Sequence, residues 1–304
     1  MYAKKFRPII LAGGTGKRLW PLSTNEKPKQ FISLFGDLSL FDLTLQRVNN
    51  RDLFEKPIVV TSEKYIEYVE NSLSKTGLEV ETVFLEPESR NTFAALTLPV
   101  LTAIKRKEFE RYMVMPSDHY IQFNKSFYEA CSNVQNQFKK RALTLFGVKP
   151  NNPSTEYGYI SMTPSSNNLK IINSFIEKPD PVKAKLMVKQ PDTLWNAGIF
   201  CFEGNWFSKT IESKFPEMYS IIMDILSGEN HKQLYFYPNK DKFSKLEDVS
   251  FDKAFVESNE DNFVANLEAG WTDLGSWHSL MKLQKDPEHG LTLHTEGDHH
   301  RTEK

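Results

Sequence analysis

The sequence predicts an α/β fold with a mostly parallel central sheet and helices on both faces, and three observations carry that prediction. Short, nearly continuous apolar runs alternate with helix-like stretches through the first half of the 304-residue chain, as expected of strands covered on both sides. Hydrophobic residues at 39% against 25% charged supply enough apolar material for a large core. The segments GGTGKR, EPESRNT and PSDHY all fall just after apolar runs, at the carboxyl ends of strands where open α/β sheets carry their functional loops.

The elements follow in order. PIILAG reads as a buried strand running into a glycine loop. PIVVTS is a second strand, followed by a helical pattern around Tyr65, Ile66, Val69 and Leu73. VETVFLEP is a third, with a helix beginning near Asn91 and carrying Ala94, Leu98, Leu101 and Ile104 on one side. YMVMPSDH is a fourth, followed by a helix from about Phe127 to Phe138, and LTLFGV is a fifth. Beyond residue 150 the texture changes: TEYGYISMT, LKIINSFIEKP and WNAGIFCFEG read as strands, and a helical stretch runs from about Trp206 to Leu226. No linker rich in Pro, Gly or Ser divides the halves, so residues 1–290 are expected to form one domain. The polar, aperiodic end, residues 291–304, reads as a tail, its histidines 294, 299 and 300 included.

Bulk charge narrows the function. A net charge of -1 does not advertise nucleic acid or an anionic membrane as a partner, so any bound anion must be held by a local site. Cys131 and Cys201 suit two free buried thiols. The N-terminal apolar run is too short for a signal core, and nothing later approaches ~18 uninterrupted apolar residues, so a cytoplasmic location is expected.

The glycine loop Gly13, Gly14, Thr15, Gly16, Lys17, Arg18 combines tight backbone turns with positive charge, a pattern suited to phosphate. It is neither a Walker loop, which needs Ser or Thr where Arg18 stands, nor a dinucleotide fingerprint, whose third glycine is replaced by Leu19. No G-x-S-x-G, H-E-x-x-H or Asp-x-Asp occurs. The last absence counts against a metal-dependent glycosyltransferase, the alternative on a similar architecture.

LAGGTGKRLWPLS followed by PKQF resembles the N-terminal signature of the sugar-nucleotide pyrophosphorylases, in particular the mannose-1-phosphate guanylyltransferase branch. FLEPESRNT, MPSDHYI, YGYI, FIEKP, WNAGIF, FDKAFVE and GWTDLGSW continue it in the family's order, from about Pro8 to Leu283. The resemblance implies a Rossmann-like nucleotide-diphospho-sugar transferase fold. It also implies GTP and mannose 1-phosphate as substrates, Mg2+ as cofactor, and transfer giving GDP-mannose and pyrophosphate; it is compatible with a homodimer.

By the same resemblance, Arg18 and Lys29 meet the triphosphate, where a guanidinium fork and a compact ammonium suit phosphate oxygens. Gly13, Gly14, Gly16, Glu86, Asn91 and Thr92 line the nucleotide. The plain alternative for Asn91 and Thr92 is a cap on the helix they begin. Asp118 and Asp273 correspond to the magnesium ligands, hard oxygens suited to that ion. Gly158, Glu177, Lys178 and Asn196 correspond to the sugar-phosphate side. Trp195, Trp271 and Trp277 read as core or pocket walls. The chain departs from the family at Glu156, at Phe93, Ala94 and Ala95, and at Lys253. Another sugar 1-phosphate or nucleotide is the nearest rival reading, and a non-catalytic sugar-nucleotide sensor a further one.

Overall fold

The computed structural model describes residues 4–14, 19–108, 110–227 and 234–284. Ten strands form its main sheet: β1 (Phe6–Leu11), β2 (Ile58–Ser62), β3 (Thr82–Glu86), β4 (Arg111–Pro116), β5 (Leu143–Val148), β6 (Tyr159–Met162), β7 (Leu169–Ile176), β8 (Thr193–Glu203), β9 (Tyr235–Phe236) and β10 (Asn262–Asn266). Their order across the sheet is β9-β3-β2-β1-β4-β8-β5-β10-β7-β6, with β8 also pairing with β6. The first-half strands β3, β2, β1 and β4 are parallel neighbours, as their continuous apolar runs predict.

Beyond β4 the sheet is mixed. β8 runs antiparallel between β4 and β5, so the fifth predicted strand keeps the direction of the first four without touching them. β10 pairs parallel with β5. Strands from both halves of the sequence thus share one sheet. The expected tail, residues 291–304, lies outside the described residues.

Successive side chains on a strand point to opposite faces, and here they feed two separate cores. Ile9, Ile58, Val60, Phe84, Tyr112 and Val114 join a cluster with α3 (Asn91–Lys105), α6 (Gly204–Lys214) and α7 (Pro216–Ile225). Phe6, Ile10, Val59, Val83, Leu85, Met113 and Met115 join another with α1 (Leu40–Arg47), α2 (Ile66–Thr76) and α4 (Asn124–Asn136). Between β7 and β8 lies α5 (Pro181–Met187), which packs Ala184 with Tyr159 and Trp195. Burial of the odd and even residues of one strand by different helices explains why those runs look apolar throughout.

The helical stretch expected from Trp206 to Leu226 is two helices, α6 and α7, because Pro216 has no N–H to continue a helix and instead starts one. Cys131 and Cys201 are free and buried, and burial pushes both thiols up. Among the described residues no helix is long and apolar enough to cross a membrane.

Candidate active site

The glycine loop leaves β1 at the edge where β2, β3 and β4 also end. Gln30 holds its described part: the side-chain amide donates to the carbonyls of Ala12 (3.0 Å) and Gly14 (2.8 Å). Thr61 at the end of β2 donates to the same Ala12 carbonyl at 2.9 Å. Gly16 and Arg18 lie outside the described residues.

Lys29 follows Pro28 in a single helical turn and is only 3% exposed. A solvated surface lysine would not be packed this way. Its ammonium lies 2.8 Å from Asp118 Oδ2 and donates to the Asp273 backbone carbonyl at 2.5 Å. Three residues from PKQF, PSDH and WTDLG therefore converge on one nitrogen.

Burial alone would push the Asp118 carboxyl up, but Lys29 and His119 hold it down to about 2, so it is ionised at neutral pH. Asp273 Oδ1 accepts from Tyr157 Oη at 2.8 Å and from the Gly275 N–H at 3.0 Å, which orients the carboxylate. Trp271 donates to His119 Nδ1 at 3.2 Å, and burial pushes His119 down. Tyr157, Trp195 and Trp271 form the aromatic wall of a cleft of about 800 Å³ that Asp273 also lines. Trp195 and Trp271 are thus cleft walls as expected, while Trp277 donates to the Trp20 carbonyl at 3.2 Å.

On one side of this centre stands Glu86, the last residue of β3. It is 7% exposed, its Oε1 has no hydrogen-bond partner among the described residues, and burial pushes its carboxyl up to about 8. Gly13 faces it so closely that a Cβ there would lie 3.2 Å from Glu86 Oε2. Asn91 opens α3 with φ 59°, a left-handed conformation that Asn tolerates. Neither Asn91 nor Thr92 caps the helix in the expected manner. Asn91 Oδ1 takes the adjacent Thr92 N–H (2.9 Å), and Thr92 Oγ1 takes the Phe251 N–H (2.9 Å).

On the other side, Gly158, Glu177, Lys178 and Asn196 come together. The Asn196 N–H donates to the Gly158 carbonyl at 2.8 Å. A Cβ at Gly158 would stand 2.6 Å from Glu177 Oε2 and 2.7 Å from the Phe175 ring, so only glycine permits this approach. Lys178 pairs with Glu177 Oε1 at 2.9 Å while remaining mostly exposed. Asn196 Nδ2 donates to Asp252 Oδ1 at 2.6 Å. Tyr157 precedes Gly158 and reaches Asp273, joining this side to the Lys29 centre.

Gln30, Tyr157 and Asp252 belong to the site without having been singled out by sequence. Gln30 sits inside PKQF and Tyr157 inside YGYI, so both had a local signal. Asp252 had only its place in FDKAFVE.

The chain matches the model of the nucleotidyl transferase family over residues 7–290. It is 33% identical to the alginate biosynthesis protein AlgA of Pseudomonas syringae pv. tomato, across 96% of this chain and 60% of that one. Identity to a mannose-1-phosphate guanylyltransferase of Klebsiella pneumoniae is 31%, across 94% of this chain and 61% of that one. The chain thus spans about 60% of the length of these relatives. Its structure is similar to one from Thermus thermophilus described as a mannose-1-phosphate geranyltransferase, with a TM-score of 0.80, 26% identity, and coverage of 93% of this chain and 80% of that one.

Proposed function

We propose that this chain, which belongs to the nucleotidyl transferase family, joins mannose 1-phosphate to GTP, giving GDP-mannose and pyrophosphate. The observation that carries the proposal is the convergence of Asp118 and Asp273 on the buried Lys29 ammonium, at a sheet edge flanked by two different polar sites. Relatives named for guanylyl transfer to mannose 1-phosphate support the choice of substrates.

The two carboxylates fit Mg2+: both offer hard oxygen, Asp118 is ionised, and Asp273 is oriented by Tyr157 and Gly275. When bound there, the ion supplies positive charge to phosphate oxygens.

The remaining work falls to the chain. A phosphate monoester has its second pKa near ~6, so the attacking oxygen is already largely ionised and requires no general base. That oxygen bonds to the α-phosphorus as the bond to the departing pyrophosphate breaks, in line. Lys29, with Arg18 from the glycine loop, offsets charge on the triphosphate side, and Lys178 offsets that of the sugar phosphate. Holding two anions at attack distance is itself a large share of the acceleration.

Glu86 favours guanine. A buried carboxyl whose Oε1 lacks a partner among the described residues is matched by a base edge presenting two adjacent N–H donors, which guanine has and adenine lacks. Donation from both favours the ionised carboxylate once nucleotide is bound. Glu177 accepts from sugar hydroxyls, and Asn196 and Gly158 shape the same side. The reaction is assigned to the cytoplasm, with soluble small molecules as partners; a homodimer is compatible with it.

The test is pyrophosphate release from GTP with and without mannose 1-phosphate, repeated with ATP, CTP and UTP and with glucose 1-phosphate. Release only with GTP and mannose 1-phosphate supports the proposal. Equal release with another pair replaces its substrates, and no release with any pair removes it.

A further inference from the structure

Asp252 has no part in the mechanism above, yet it is built into the sugar side. It begins a turn of π-helix, Asp252–Val256, a rare conformation that recurs at functional sites. The segment is tied down at both ends to residues of the two half-sites. Before it, the Phe251 N–H is held by Thr92 Oγ1; after it, Glu257 Oε1 takes the Glu177 N–H at 3.0 Å. Asp252 itself is only part-buried and accepts from Asn196 Nδ2 at 2.6 Å.

A carboxylate can accept about four hydrogen bonds. Asp252 receives one from Asn196 and one from its own backbone N–H, so acceptor capacity remains. Its neighbour Glu177 has Oε1 on Lys178 and Oε2 facing Gly158. Asp252 and Glu177 are near enough for each charge to act on the other, and Glu177 also carries the Lys178 ammonium. Burial, then the nearness of Glu177, pushes Asp252 up to about 7, against the pull of the Asn196 amide. The two carboxyls suit neutral hydroxyl groups, which donate to carboxylates and accept from a carboxylic acid, while the phosphate of the same substrate is left to Lys178.

We propose that Asp252 is a specificity-determining residue of the sugar side, its carboxyl receiving one hydroxyl of the sugar ring beside Glu177. The proposal rests on the sugar-phosphate reading above and adds to it the residue that counts a hydroxyl.

The experiment compares wild-type protein with Asp252→Ala and Asp252→Asn on mannose 1-phosphate and on its 2-, 3-, 4- and 6-deoxy analogues, with GTP affinity measured separately by calorimetry. The Ala variant is expected to lose at least ~10-fold in kcat/KM for mannose 1-phosphate, mostly through KM. For one deoxy analogue the wild type and the variant should be nearly equal, and GTP affinity should stay within about twofold. An equal loss on all five sugars, or a matching loss in GTP affinity, would show that Asp252 only props Asn196, and would overturn the proposal. If the Ala variant does not fold, the isosteric Asn variant is judged by the same pattern. If wild-type protein uses none of the five sugars, the sugar-phosphate reading itself fails and this inference with it.

Discussion

Lys29 Nζ donates to the backbone carbonyl of Asp273, 244 positions away in the chain, at 2.5 Å. The same nitrogen lies 2.8 Å from Asp118 Oδ2. One buried lysine thus ties the Asp118 carboxylate to the backbone of Asp273, while Tyr157 and the Gly275 N–H orient the Asp273 carboxylate.

Replacing Lys29 by Met should cost both turnover and acid sensitivity. Asp118 is held at about 2, below its ordinary 3.8, so the stability it contributes is present above about pH 4 and lost as pH falls toward 2. In Lys29→Met the largest stabilising partner is gone, and the loss of stability between pH 4 and 2 should shrink. Denaturant melts across that window check the sign, and kcat/KM for GTP should fall at least ~10²-fold. An unchanged acid limb would mean that Lys29 does not govern Asp118.

Glu86→Gln should trade selectivity for stability. The folded carboxyl titrates at about 8 against an ordinary 4.5, so between those values the folded protein keeps a proton that the unfolded chain has released. Stability therefore falls as pH rises through that window, and the Gln variant lacks this loss. Its Tm without nucleotide is expected to exceed that of the wild type by a margin that grows from pH 5 to pH 8. Preference for GTP over ATP should drop about 10-fold, since the carboxyl can ionise when guanine binds and accept from both of its N–H groups, which an amide cannot do. A Tm difference independent of pH would show that Glu86 is ionised within the fold.

Lys178→Ala should act on the sugar phosphate alone. The side chain is 60% exposed and pairs only with Glu177 among the described residues, so its removal leaves the core intact. Charge-assisted bonds to phosphate are worth about 1.5–3 kcal/mol, which predicts a loss of at least ~10-fold in kcat/KM for mannose 1-phosphate. GTP affinity should be unchanged. Kinetics equal to wild type in a folded variant would return Lys178 to the solvated surface.

The parts legible in the sequence were those whose signal is local. β1 to β5 announce themselves by apolar runs, and α3 by the spacing of Ala94, Leu98 and Leu101, because burial of each face acts on neighbouring residues. The insertion of β8 between β4 and β5 was not legible, since the WNAGIFCFEG run shows that a strand is buried and not which strands flank it. Motifs placed Lys29, Asp118 and Asp273 at the site, but charge alone could not tell a buried lysine from a solvated one. Asp252 escaped notice for a related reason: its significance comes from Asn196 and Glu177, both distant in the chain. For Gly16 and Arg18 the reading stands on the sequence alone, as both lie outside the described residues.

The central claim is that Asp118 and Asp273 serve one centre of nucleotidyl transfer. The most direct test is the rate of pyrophosphate release from GTP and mannose 1-phosphate by Asp118→Asn, Asp273→Asn and the double variant, each over a range of Mg2+ concentrations. Either single change should lower turnover at least ~10²-fold, with partial recovery at high Mg2+, and the double variant should be far less impaired than the product of the two losses. A single variant that kept a near wild-type rate at low Mg2+, or a double variant whose losses simply multiplied, would contradict the account.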